Sequence, residues 1–375
     1  MADNSEIVVS ARKAEKDEVT LTVNGSKLGG WKEIDITLRC EGFPPSFSVS
    51  LSSHDPISGT DVAAAGGNLC QVAIGTQTVI TGYIDRDSNA GDANNHMLRL
   101  VGRGKTQDLV DCSAEYPSGQ INSATVLDIA STLCDPYGIN VVTEGDPDIG
   151  PPVPQANLTY GETGAEIIQR YARSAGLIAY EDSEGQLVLA AVGTETAPSG
   201  AVYGENVESY SVQNAVDQLV SQIMCTMNNI NVMSDAGDGY FFFHPEDSPL
   251  PVRHRVIYLP LEQSVDPQPF TVKKAKWEMS RRIGRSVVVQ VTVDSWRDSN
   301  GDLWHPNTLV PVDVPGLRLK DKNLCLSEVT FRRNDRSGTT ADLTLLPAAA
   351  FAPEPINLVP VSAAGVIGPD GKEVQ

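Results

Sequence analysis

Several groups of residues in this chain have the types and spacing that chemistry uses. Gly102-Arg103-Gly104-Lys105-Thr106 ends like a phosphate-cradling loop, in which backbone amides and a lysine hold the oxygens of a nucleotide. That motif also needs a glycine five residues before Gly104, and the position holds Arg99. Asp298-Ser299-Asn300-Gly301-Asp302 carries the oxygen ligands of a calcium loop. Its twelfth position, where a bidentate Glu belongs, is Leu309, and strand-like segments flank it instead of helices. A hairpin turn around Asn300-Gly301 fits these residues better. Asp85 with Asp87, or Asp294 with Asp298, could supply the two carboxylates, roughly 5 to 10 Å apart, that a glycosidase uses. In a chain with 48 acidic residues such pairs arise by chance. His54, His96, His244, His254 and His305 share no motif, and there is no GxSxG elbow, no HExxH and no GxGxxG after a strand. The sequence nominates no catalytic, metal-binding or cofactor-binding residue, and the chain reads as a non-enzyme.

Two groups point to partners instead of reactions. Lys273, Lys274, Lys276, Arg281, Arg282 and Arg285 make the most basic segment of an acidic chain, suited to an electrostatic contact with an acidic neighbouring subunit. Tyr240-Phe241-Phe242-Phe243, in a long polar loop from Asn228 to Pro251, is a candidate partner-contact patch.

The bulk properties narrow the class. A length of 375 residues suggests two to four domains, and 41% apolar with 20% charged residues is the composition of a soluble globular protein. No apolar run approaches the roughly 18 residues of a membrane span, and the first 18 residues lack the apolar core of a secretory signal. Assembly in a cytoplasm, without membrane insertion, is expected. Cys40, Cys70, Cys112, Cys134, Cys225 and Cys325 are scattered singly and read as small buried hydrophobes. The formal charge of -20 opposes nucleic-acid binding by counterion release, which needs clustered Lys and Arg.

The elements that must position these residues are organised around a strand pattern that occurs twice. From Leu69 to Arg103, apolar residues alternate through Val72, Ile74, Val79, Tyr83, Leu98 and Leu100, with a polar run from Ser88 to Asn95 between them. A period of two bounded by turn residues marks antiparallel strands. From Leu309 to Phe351 the order repeats: a short strand, a Gly, a longer strand through Leu324 and Phe331, a polar loop, and a last strand through Leu343 and Leu345. Upstream, Phe47, Val49 and Leu51 find a counterpart in Val287 to Val293. This predicts an internal duplication of a small antiparallel barrel or sandwich.

Between the copies the period changes to 3.6. Ser123 can cap a helix over Val126 to Leu133 that Pro136 stops, and Thr163 with Glu166 forms a capping box for a helix ending at Gly176. Asp146 to Pro154 reads as a stiff loop, and Leu177 to Ala190 as a tight hairpin. A last helix, capped by Thr271, would bury Val272, Ala275, Met279 and Ile283. The fold class is therefore mainly β with an inserted α/β unit, α+β overall. The expected division is an arm over 1–18, a first tube-like β-barrel over 19–104, an α/β domain over 105–202, a second barrel over 203–350 with a helix near 271–284, and a Pro/Ala-rich arm over 351–375.

VNGSKLGGWKEIDITL, RLVGRGKTQDLVDCSA, TVLDIASTLCDPYGINV, ETGAEIIQRYARSAGLIAYEDSEGQLVLA, AKWEMSRRIGRS and SEVTFRRNDRSGTTADLTLLP, in this order, resemble the Mu-type baseplate hub proteins of contractile phage tails over about residues 19 to 350. The resemblance implies a virion structural protein without catalytic residues or cofactors. It implies a homotrimer whose paired barrels make a pseudo-sixfold ring joining tail tube to central spike, with baseplate wedge proteins as further partners. The aromatic loop and the Pro-rich tail depart from the family pattern. Two alternatives stand beside it: a glycan-binding tail-tip protein, which needs exposed stacking platforms among Trp31, Trp277, Trp296 and Trp304, and a cell-wall hydrolase.

Overall fold

The computed structural model describes residues 16–53, 64–92, 96–115, 119–193, 195–227, 240–243, 253–261, 267–319 and 322–351. All but 16–18 of the predicted arm over 1–18, all but 351 of that over 351–375, most of the 228–251 loop, His54 and His244 lie outside the described residues.

The first module holds β1 (Val19–Val23), β2 (Ser26–Leu28), β3 (Glu33–Arg39), β4 (Ser46–Ser53), β5 (Leu69–Ile74), β6 (Gln77–Gly91) and β7 (His96–Gly104). Alternation sets one face of each strand inward: Ile34 and Ile36 on β3, Phe47 and Val49 on β4, and Leu98 and Leu100 on β7 are all buried. The first half of the polar run read as a loop is strand, because β6 continues through Ser88 to Gly91, its last seven residues exposed. With no apolar face to reveal it, that extension carries no period-two signal.

The α/β unit holds α1 (Gln107–Asp111), β8 (Gln120–Ala124), α2 (Val126–Cys134), β9 (Val141–Glu144), β10 (Val153–Asn157), α3 (Gly164–Ala175), β11 (Ile178–Glu181) and β12 (Leu187–Ala190). Its helices pack around a separate core that includes Leu109, Ile129, Leu133 and Ile168. Thr163 and Glu166 make the predicted reciprocal cap on α3, and Gly176 ends it in the left-handed conformation. On α2 the cap is Thr125, paired with Asp128, whereas Ser123 sits two residues earlier with positive φ. A Thr with an acid three residues on satisfies two free amides, and a lone Ser satisfies one. The stretch read as a stiff loop leads into β10, which pairs with β8.

The second module holds β13 (Glu195–Thr196), β14 (Ala201–Val202), β15 (Val207–Asn214), β16 (Gln222–Met227), β17 (Tyr240–Phe243), β18 (Val256–Leu261), α4 (Pro267–Arg285), β19 (Val287–Val293), β20 (Thr308–Asp313), β21 (Asn323–Asn334) and β22 (Gly338–Leu346). The segment Tyr240–Phe243, read as part of a loop, is a strand beside β16; a short aromatic run suits a strand even among turn-forming neighbours. α4 starts four residues before Thr271, at Pro267, since proline is tolerated in a helix's first turn. Ala275 and Met279 are buried against β16 with Ile283 beside them, while Val272 is exposed.

Fourteen strands form one sheet whose main path runs β15-β19-β22-β21-β3-β4-β7-β6-β5-β1-β2. The duplication is visible in it. β4-β7-β6-β5 repeats as β19-β22-β21-β20, with β3 beside β4 as β15 is beside β19. Even the irregularities match: β6 bulges at Asp85, between Ile84 and Arg86, and β21 at Ser327, between Leu326 and Glu328. The modules are not separate bodies, because β21 of the second pairs antiparallel with β3 of the first and one hydrophobic core runs through both.

Candidate functional site

The residues nominated for chemistry are spent on structure. At the phosphate-loop lookalike, the amides of Lys105 and Thr106 do point at an anion, but it is the Glu181 carboxylate from the end of β11, at 2.8 and 3.0 Å, with the Thr106 hydroxyl also donating. A Cβ on Gly104 would collide with this carboxylate at 2.3 Å. Burial pushes the Glu181 carboxyl up to about 7, against the opposing pull of the three bonds it accepts. The sequence offered no sign of this clamp, because its partners are 75 and 76 residues apart.

Asp298 of the calcium-loop lookalike turns its carboxylate onto the amides of Asn300 and Asp302 at 2.8 and 3.1 Å, closing a tight turn between bridged Arg297 and Leu303. Among the described residues no group of His, Cys and acids could hold a metal. Asp85 pairs with Arg103 at 2.6 Å and Asp87 accepts the Gly66 amide at 2.8 Å, so these acids hold the β6 bulge to its surroundings. Arg103 also bonds Asp111 and holds its carboxyl below the usual carboxylate range. Five cysteines are buried as expected; Cys112, at the end of α1, is exposed.

The basic helix divides its charges. Arg282 bonds Glu278 at 2.6 Å and the Gln218 carbonyl at 2.8 Å, Arg285 pairs with Glu41, and Lys274 and Arg281 lie over the Trp277 ring. Lys273 and Lys276 face outward. Three of the four tryptophans are closed to any glycan: Trp31 is 7%, Trp304 3% and Trp296 0% exposed. The Trp296 indole donates to the carbonyls of Arg332 and Thr340 and packs edge-on against Phe331.

What remains as a built feature is the seam between the modules. β21 lies along β3 from Glu328 opposite Arg39 to Arg333 opposite Ile34. Arg39 and Glu328 pair across it at 3.0 Å, Arg332 reaches Asp35 at 3.2 Å, and the hydroxyls of Thr37 and Thr330 meet at 3.0 Å. Beneath these, Ile36 and Phe331 are fully buried. The entering chain ties the same corner: Arg297 donates to Asp17 at 2.8 Å and Arg333 to the Asp17 carbonyl at 2.9 Å. The seam is a way of joining one module to the next by extending a sheet.

Comparison with known proteins locates this architecture. Residues 18–104 match the family model for the Mu phage baseplate assembly protein GpP-like N-terminal domain. Residues 106–191 match the second domain of baseplate hub proteins like gp44, and residues 269–354 the fourth domain of the Mu phage baseplate assembly protein GpP. The chain is 28% identical over 357 residues to the baseplate hub protein gp44 of Escherichia phage Mu, covering 92% of this chain and 89% of that one. A 43 kDa tail protein of prophage MuSo2 from Shewanella oneidensis superimposes with a TM-score of 0.78 at 29% identity, over 90% of this chain and 99% of the other. A tail protein from Neisseria meningitidis MC58 shares the fold with a TM-score of 0.75 at 23% identity, over 91% and 99% of the two chains.

Proposed function

Since this chain belongs to the Mu-type family of phage baseplate hub proteins, we propose that three copies of it close into a ring of six like modules. The ring adapts a sixfold tail tube on one face to a threefold central spike on the other, and baseplate wedge proteins pack around it. The observation that carries this reading is the repeated strand order, joined in one sheet through β21 and β3. A chain holding two like modules presents similar edges twice, so three chains present them six times, and duplication within the chain resolves the symmetry mismatch.

On this reading the chain divides into an arm over 1–18, tube-like modules over 19–104 and 203–350, an α/β domain over 105–202 whose last strands β13 and β14 join β20 of the second module, and a terminal arm over 351–375. The role is structural, and the place of the protein is the tail baseplate of the virion. Lys273 and Lys276 of α4 supply a basic contact to an acidic neighbouring subunit, as the expected basic patch requires, with Lys274, Arg281, Arg282 and Arg285 also engaged within the chain. The Tyr240–Phe243 strand remains the candidate partner-contact segment. With a formal charge of -20 on each chain, acids facing the central channel repel phosphates and keep passing DNA from adhering.

Image averaging of the purified assembly tests the ring: six lobes around one hole at low resolution, resolving into three repeats at high resolution, is the expected result. A ring without alternation of two module types contradicts it. For the channel, neutralising inward-facing acids slows DNA release; unchanged release would remove that part of the reading.

A further inference from the structure

Where the α/β unit, α4 and the loop after β3 meet lies a cleft of about 400 Å3 whose charge runs against that of the chain. α3 gives it Gln169 and Arg173, α4 gives it Trp277, Arg281 and Arg285, and Phe351 closes one side. In a chain with a formal charge of -20, three guanidiniums here face a single carboxylate, Glu41, which is already paired with Arg285. Arg173 donates to the Gln169 carbonyl of its own helix at 3.0 Å, and Arg281 lies 5.7 Å from the centre of the Trp277 ring. Among the described residues neither meets a carboxylate.

The chain itself is delivered to this cleft. The short turn Ala348–Phe351 is held against α4 at Gly284, where a Cβ would stand 2.2 Å from the Ala350 nitrogen, and Arg285 donates to the Ala350 carbonyl at 3.2 Å. Phe351 is part of the wall, so the residues that follow it start at the mouth. They read Ala352-Pro353-Glu354-Pro355. Glu354 is three residues past Phe351, a reach of about 10 Å in extended chain, and the next acid along the sequence is Asp370. The flanking prolines fix φ and carry no amide hydrogen, so such a segment enters a cleft with little entropy to lose and few donors to satisfy.

We propose that Pro353-Glu354-Pro355 turns back into this cleft of its own chain, sets the Glu354 carboxylate between Arg173 and Arg281, and so straps the α/β unit to the second module. A carboxylate from another protein would suit the same two guanidiniums. Glu354 has the advantage of its tether, since a short link holds it at an effective concentration on the order of millimolar. The strap is made within one chain and does not rest on the hub reading.

Carbodiimide coupling in the full-length chain is the test. Arg173→Lys keeps the charge and supplies an amine that the reagent can join to a carboxylate in contact with it. The expected product is an amide between position 173 and Glu354, found by peptide mass mapping in a chain that still migrates singly on a denaturing gel, and lost when Glu354→Gln is added. Trp277 gives a second readout: the other three tryptophans are buried, so quenching of fluorescence by acrylamide reports the cleft. Glu354→Lys and Arg173→Glu should each increase the quenching, and the two together should bring it back towards that of the unaltered chain. A link between 173 and 354 found only in two-chain species overturns the assignment to the same chain. Absence of the link, or quenching that none of these substitutions moves, overturns the strap and leaves the hub reading standing.

Discussion

β3 and β15 occupy the same place in like modules, yet Ile34 is sealed at 2% exposure while Tyr210, at the matching position of β15, is 38% exposed. The difference lies in what stands outside each strand: β21 covers β3, and among the described residues β15 has outside it only the bridge from Val207 to Tyr203, whose ring meets Tyr210. Likewise, past matching bulges, β21 buries Val329 and Phe331 whereas β6 leaves Asp87 and Asn89 exposed. Burial at these positions is set by the neighbouring strand more than by membership of the module. The same strand order can therefore stand as interior or as exposed edge.

Substitutions at paired positions should break or sharpen this contrast. The largest effect is expected at Phe331, whose ring is buried against Trp296. Phe331→Ala should cost about 3 to 5 kcal/mol of unfolding free energy, and Asn89→Ala at the equivalent position less than about 0.5. Denaturant titration of both variants would reveal a covered β6 if their costs came out alike. Next, Ile36→Ala should cost about 2 to 5 kcal/mol, while Val212→Ala, at a half-buried position packed against the core, should cost the dilute chain only about 1 kcal/mol and weaken self-association, read by sedimentation across a concentration series.

Glu181 sharpens the contrast at the exit of the first module. Its carboxyl sits at about 7 in the folded chain against 4.5 ordinarily, because burial disfavours the charge. Below about 4.5 both states keep the proton and the effect is absent. Between 4.5 and 7 the unfolded chain ionises first, so stability falls as pH rises; above 7 it levels off. That window corresponds to about 3 kcal/mol. Melting free energies of the wild type and Glu181→Gln across it should diverge in favour of Gln with rising pH, and a pH-independent difference would show an ordinary carboxylate. The smallest effect belongs to the Arg39–Glu328 pair across the seam. Both side chains are more than a third exposed, so Arg39→Ala should cost no more than about 1 kcal/mol.

Much of this was readable in the chain because it is local. The capping box at Thr163 and Glu166, the hairpin into Ala190 and the strand alternation of both modules are written within a few residues, and so was the repeat itself. Features set by distance were not. The polar end of β6 has no buried face to betray it. β8 and β10 are short and lie among Pro and Gly. Glu181 meets its amides across 75 residues, and Arg39 meets Glu328 across 289. The strand pairing that fuses the two modules joins segments from opposite ends of the sequence, so periodicity could predict two modules but not the seam between them.

The most direct test of the central claim, that paired modules let three chains imitate six, is the mass of the assembled protein in solution. The account predicts one closed species at three times the 40.1 kDa chain mass. A stable assembly of two, four or six chains, or an open series without a preferred size, would contradict it.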